Sequence, residues 1–334
     1  MKYKLLKNEE ILSEQCLSYI DNHPYGTIFH TPYLFEVYKD TPNYEPFAYY
    51  AVDEERQIKA MLSGVIETVK PGFFSGLSKR AVMMQAPIFD EIDALDFLLS
   101  EYSKIMKHKV VYSEVRNHYN PECMSPIMLK NGFKYEDHLN IIVDLSQTED
   151  ILWQNISSSG RKKIKKAIKK GVIVRRLTED FLIESYSLLK EVYKRLKLPL
   201  PSILFFENAI QKSTENMGMV MYGAFLDNEL IGVRVTLQYR NIVYALYAGS
   251  SSKNYDKNPN DILPWEVFRQ CKNEGKTIFD FGGAGKPNVP YGVRDYKMKF
   301  GGKLVNYGRF TLIHNPIKMK LAETGFKIYR KIKL

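Results

Sequence analysis

The sequence predicts an α/β (α+β) fold built twice over, with mixed, twisted sheets flanked by helices. Three observations point there. Strand-like and helix-like segments alternate along the chain. Blocks of similar pattern recur at an offset of roughly 170 residues. Aromatics suited to half-buried sheet surfaces are abundant, with 23 Tyr and 18 Phe against 2 Trp.

The repeat is clearest in two hairpins. Phe47 to Ile58 reads as strand, acidic turn and strand, and Met221 to Ile231 reads the same way around Asp227. A second matched pair follows. Val110 to Val115 is a strand; a loop, a helix and the turn Asn131-Gly132-Phe133 lead from it to the strand Leu139 to Val143. Thr277 to Phe281 is its counterpart. A Gly/Pro-rich loop, a short helical piece and Phe300-Gly301-Gly302 lead on to the strand ending at Ile313.

The boundary between the halves falls near Asp144. Ser146 and Glu149 form an S-x-x-E capping box. A helix from about Arg161 stops at Gly171, a natural C′ residue, and docks through Ile164, Ala167 and Ile168. Another runs from Leu182 to Lys194, with Leu182, Tyr186, Leu189 and Tyr193 at helical spacing; Pro199 and Pro201 mark its exit. A third covers Leu263 to Asn273 and stops at Gly275. Pro316 to Leu334 interleaves lysines with Ile317, Leu321, Ile328 and Ile332. That pattern suits a helix lying on an anionic membrane, and equally a terminal helix docked on the first domain.

Composition narrows the function classes. The 334 residues are 45% hydrophobic and 26% charged, an ordinary globular mix, and the net charge is +10. That balance favours anionic partners: nucleic acid, phosphates or a membrane surface. The 3 cysteines form no C-x-x-C pair, and Met1 to Glu10 lacks an apolar signal core. A cytoplasmic protein in a reducing compartment is expected. The 6 histidines show no metal-ligand spacing, and no G-x-S-x-G is present, so neither a metal nor a covalent nucleophile is indicated. Gly282-Gly283-Ala284-Gly285 follows a strand, but Pro287 and Pro290 replace the helix a phosphate loop needs. These glycines read as positive-φ or close-approach positions.

Arg161-Lys162-Lys163 and Lys165-Lys166 form the main charge cluster. Its alternatives are a solvated face and a seat for RNA phosphates or a pyrophosphate. The segment Leu152 to Val172, together with Phe279-Asp280-Phe281-Gly282 and Tyr296-Lys297-Met298-Lys299-Phe300-Gly301, resembles the Fem-type acyltransferases. These are tandem-repeat relatives of the GNAT N-acyltransferase fold. The resemblance implies two GNAT-like domains: residues 1–144, completed by 314–334, and residues 145–313 carrying the catalytic motif.

It also implies transfer of an amino acid from aminoacyl-tRNA to an amine of a lipid- or nucleotide-linked peptidoglycan precursor. The protein would be a monomer, without cofactor or metal. By the same resemblance Lys297 lies at the acyl-transfer site. Arg195, Lys197 and Lys39 would hold the precursor's diphosphate, Tyr244 and Tyr247 would line the substrate groove, and Arg161, Lys162, Lys165 and Lys166 would hold tRNA. The alternative is an acyl-CoA-dependent N-acyltransferase acting on an amino sugar. The Q/R-x-x-G-x-G/A loop that cradles the CoA pyrophosphate is missing, since the expected place reads Lys253 to Pro259.

Overall fold

A computed structural model of the chain describes residues 2–68 and 78–321. The chain divides into two units: Met1–Asp137 with Tyr307–Leu334, and His138–Asn306.

The first unit opens with β1 (Lys4–Lys7), α1 (Ser13–Asn22) and α2 (Pro32–Lys39). The hairpin β2 (Tyr44–Val52) and β3 (Ile58–Thr68) follows as the sequence predicts. β4 (Lys79–Met83), the short β5 (Ile88–Phe89), α3 (Ile92–Met106), β6 (Tyr112–Arg116), α4 (Ser125–Lys130) and β7 (Lys134–Glu136) complete the first pass. Ala94, Leu95, Leu98, Leu99, Tyr102 and Met106 recur on one stripe of α3, which buries them against Phe47, Tyr49 and Leu62 of the sheet.

The second unit begins with β8 (Leu139–Asp144), α5 (Glu149–Asn155), α6 (Ser158–Lys169), β9 (Ile173–Arg176), α7 (Leu182–Arg195) and α8 (Ile203–Gln211). β10 (Met217–Leu226) and β11 (Glu229–Tyr239) form the second predicted hairpin. Its turn residues Asp227 and Asn228 take positive φ, which Asp and Asn tolerate better than most side chains. β12 (Ile242–Ser250), α9 (Pro259–Asn273), β13 (Ile278–Gly283), α10 (Gly292–Met298) and β14 (Lys303–Asn306) close the unit, and β15 (Arg309–Ile313) follows.

The sheet orders are β1-β2-β3-β4-β6-β15-β7, with β5 on β3, and β14-β8-β13-β12-β11-β10-β9. Each sheet is antiparallel except for one pair, β4 with β6 and β12 with β13.

The sheet orders correct the predicted domain limits. β8 was expected in the first domain, but it pairs with β13 and β14 in the second sheet. The limit at 313 assigns β15 to the second domain, whereas the resemblance implies that the last strand returns to the first; β15 pairs with β6 and β7 in the first sheet. The breaks therefore fall at Asp137/His138 and Asn306/Tyr307, not at 144/145 and 313/314. The last strand of each half has been exchanged for that of the other, and nothing in local hydrophobic pattern encodes such a choice of partner.

Three local expectations also change. The cap of α5 is Thr148, whose hydroxyl accepts from Ile151 N, while Ser146 turns back onto Asp144. α6 docks through Ile164 and Ala167, but Ile168 is exposed. α9 starts at Pro259 rather than Leu263, because proline at the first helical position is pre-set for φ and lacks only an N–H that would have no partner. The expected C-terminal helix is described only as far as Leu321, so its continuation lies outside the described residues. No described helix is long and apolar enough to cross a membrane.

Candidate active site in the second unit

β12 and β13 run parallel and pair only through Ile242↔Ile278, Val243↔Phe279 and Tyr244↔Asp280. β12 then continues to Ser250 and β13 to Gly283 without further pairing to each other. The two strands part in mid-sheet, leaving backbone groups on the facing edges without strand partners. One such group on β12, the Ala248 amide, hydrogen-bonds the Tyr193 hydroxyl, and burial pushes this phenol up to about 12.

Lys297, on α10, fills the β13 side. Its Nζ donates to the Phe281 carbonyl at 2.6 Å and to the Gly283 carbonyl at 2.8 Å. Both carbonyls belong to the stretch where the register of β13 against β8 breaks, between Asp280 and Gly283. An ammonium has three N–H donors, and two are spent here, leaving one for a ligand. Burial brings the amine down to about 8; the nearby Asp280 charge opposes that fall and Arg234 adds to it. Asp280 is itself buried, and its carboxylate accepts from Gly282 N at 2.6 Å.

The surrounding loops are pinned. Arg294 ties the 284–291 segment to α10 through the carbonyls of Lys286 at 2.8 Å and Val289 at 2.5 Å. Tyr296 donates to Asn260 O at 2.6 Å, joining α10 to the start of α9. Gly282 and Gly285 take φ of 69° and 77°, so these glycines serve backbone geometry, as the sequence predicts.

Tyr244 and Tyr247 lie on β12, three residues apart. A bulge at Leu246 shifts the register from Leu237↔Tyr244 to Val235↔Tyr247. Both tyrosines therefore project from the same face, which a regular strand would forbid. Tyr244 is buried, and its hydroxyl is held far above the usual phenol range by burial and then by Asp280. Tyr247 stands among Tyr193, Phe205 and Phe206, with ring centroids at 5.7, 6.3 and 5.2 Å.

The other expected residues lie elsewhere. Arg195 is exposed at the end of α7, where its guanidinium hydrogen-bonds and stacks on Tyr255 and lies 3.8 Å from Glu191. Lys197 is exposed just beyond it, at a φ of 54°. Lys39 belongs to the first unit, is exposed, and pairs with Glu9 at 3.1 Å and Glu36 at 3.7 Å. Lys162, Lys165 and Lys166 are exposed on α6, with Lys165 over the Trp153 ring at 5.9 Å.

Arg161 also has a structural role. Its Nη1 donates to the carbonyls of Gln154 at 2.7 Å and Ile156 at 2.5 Å, with Trp153 at 3.4 Å, and so closes the C-terminus of α5.

Sequence reasoning missed Arg234. It lies on β11 opposite Ala248, is 5% exposed, and reaches under β12 to the Phe281 ring at 5.7 Å. The available signal was a single charge inside the otherwise apolar run Ile231-Gly232-Val233-Arg234-Val235.

Residues 158–298 match the family model described as an acetyltransferase (GNAT) domain. Lipid II:glycine glycyltransferases of two Staphylococcus epidermidis strains are 30% identical to the chain over 106 residues. That match covers 28% of this chain, and the chain spans 26% of the length of those curated relatives. Across the whole length, the crystal structure of FemX superposes with a TM-score of 0.72 at 17% identity, covering 95% of this chain and 99% of that one. The chain has the tandem GNAT fold and is similar to the Fem-type proteins. A tandem GNAT protein from the clavulanic acid biosynthesis pathway shares the architecture, with a TM-score of 0.62 at 8% identity over 94% of this chain and 99% of that one. The matched GNAT segment runs from α6 through Lys297, so it includes the parted strands.

Proposed function

We propose that the protein transfers an amino acid from aminoacyl-tRNA to an amine of a lipid-linked peptidoglycan precursor. The observation that carries this reading is the seat of Lys297 between the parted strands, with one donor left over. In the reaction the acceptor nitrogen attacks the ester carbonyl carbon and a C–N bond forms. Charge collects on the carbonyl oxygen, and the free N–H of Lys297 stabilises it. Collapse breaks the ester C–O bond, and the proton lost by the amine ends on the departing ribose oxygen. Positioning and oxyanion stabilisation suffice, and no enzyme nucleophile is needed.

Lys162, Lys165 and Lys166 supply an exposed cationic face for tRNA phosphates. The activity for which the Staphylococcus epidermidis relatives are named supports a lipid-linked acceptor. Local chemistry disfavours acyl-CoA. The first turn of α9, at the place expected for a CoA pyrophosphate loop, holds the buried carboxylate of Asp261, 3.8 Å from Lys163. A carboxylate already using that positive helix end repels a diphosphate.

The test incubates purified protein with a pool of charged tRNA, or with acetyl-CoA, plus lipid-linked and nucleotide-linked precursors, and reads acceptor masses. A gain of one amino-acid residue that RNase abolishes is expected. A gain only with acetyl-CoA overturns the donor. A gain only on the nucleotide-linked precursor overturns the acceptor.

A further inference from the structure

Among the described residues, Arg234 is a buried cation without a counter-charge. Its Nη2 donates one 3.3 Å hydrogen bond, to the neutral Tyr296 hydroxyl, and its Nε has no partner. Its remaining contact is the face of Phe281. No described carboxylate lies within ion-pair distance of it. Asp280 faces Lys297 and is held by Gly282 N, while Asp261 leans towards Lys163.

An uncompensated charge at this depth costs several kcal/mol in general, and such groups persist where something else repays them. The position narrows what that is. Arg234 spans the gap between β12 and β13 from beneath, and Lys297 sits in the same gap. Two cations therefore meet one buried carboxylate, leaving the gap with net positive charge.

We infer that Arg234 receives a carboxylate of the acceptor in the gap between β12 and β13, and so fixes the acceptor amine against the reacting carbonyl beside Lys297. A flat carboxylate matches the guanidinium fork and slides between the Phe281 and Tyr296 rings. A phosphodiester is tetrahedral and strongly hydrated, and the exposed lysines of α6 suit it better. This deepens the aminoacyl-transfer reading by requiring the acceptor to carry amine and carboxylate on one peptide.

The test needs no donor and no turnover, so it stands apart from the transfer assay. Protein labelled with ¹⁵N-arginine is titrated with Nα-acetyl-lysine, with Nα-acetyl-lysinamide and with adenosine monophosphate. The Arg234 Nε–H signal is assigned by its loss in Arg234→Lys. It should shift saturably with the free carboxylate and not with the amide. Arg234→Met should weaken binding of Nα-acetyl-lysine at least tenfold while raising Tm, because an unpaired buried charge has been replaced by an apolar stem. A shift with adenosine monophosphate alone overturns the carboxylate assignment. Equal response to lysine derivative and amide overturns it too. A lower Tm with unchanged affinity makes Arg234 a structural residue and also overturns it.

Discussion

Lys297 and Phe281 are joined by a 2.6 Å hydrogen bond from ammonium to carbonyl, across the point where two parallel strands separate. That bond, with the one to the Gly283 carbonyl, holds the ammonium against the end of β13 and leaves one of its three donors unspent.

Removing that donor should be costly in rate and mild in binding. Lys297→Met is expected to lower kcat by about 10²–10³-fold with little change in KM, the usual size for losing one oxyanion donor. The charged form does the work, and the amine is brought down to about 8 by burial. Activity should therefore hold below that pH and fall as pH rises through it, read as kcat against pH. A rate that climbs through the same region instead would make Lys297 a base.

The basic helix divides into structural and electrostatic parts. Arg161→Ala removes the hydrogen bonds to the Gln154 and Ile156 carbonyls and should destabilise by about 1–3 kcal/mol, measured by urea unfolding. Lys162→Gln, Lys165→Gln and Lys166→Gln together should leave Tm nearly unchanged. They should flatten the log K against log salt plot for tRNA by about 2, at roughly 0.7 for each phosphate no longer neutralised.

Two glycines should respond differently to the same change. Gly301 has φ of 78°, and a Cβ there would lie 2.6 Å from Asn155 Cβ and 2.7 Å from its carbonyl oxygen. Gly301→Ala should cost about 2–4 kcal/mol and disturb the adjoining α10. Gly171 has φ of 82° with open space around it, so Gly171→Ala should cost only about 1–2 kcal/mol, the backbone term alone. Paired denaturation curves check both.

His30 makes the first unit acid-sensitive. Its ring is buried between Thr27 N at 3.2 Å and Ala86 O at 2.9 Å, and burial lowers its pKa to about 4. The native state thus binds this proton less readily than the unfolded chain does. Stability from this group is complete above about 6.5, the ordinary histidine value, and drains away as pH falls towards 4. Unfolding free energy should drop by about 1–3 kcal/mol over that window, and His30→Gln should flatten the slope.

The legible parts of the fold were those written locally. The β10–β11 hairpin announces itself through Asp227-Asn228, and α7 through its repeating apolar stripe. α9 begins at Pro259, four residues before the predicted Leu263, because the sequence carries no apolar periodicity across that first turn to mark its start. Lys297 was legible only through the motif Tyr296-Lys297; its two carbonyl partners depend on where β12 and β13 part, which no local pattern records. The structural role of Arg161 was not legible, because a sequence shows a charge but not the helix end it closes. Arg234 was passed over because one arginine in a strand normally points to solvent, and here the sheet is covered on that side.

The exchanged end strands bear on how the polypeptide is made. β15 sits between β6 and β7, yet it is synthesised long after both. At typical elongation speeds of about 5–20 residues per second, the ribosome spends on the order of ten to thirty seconds before that slot can be filled. During that interval the early half is an open sheet with an unsatisfied edge, a natural client for chaperones. A message truncated shortly before codon 309 would cripple the half that was translated first.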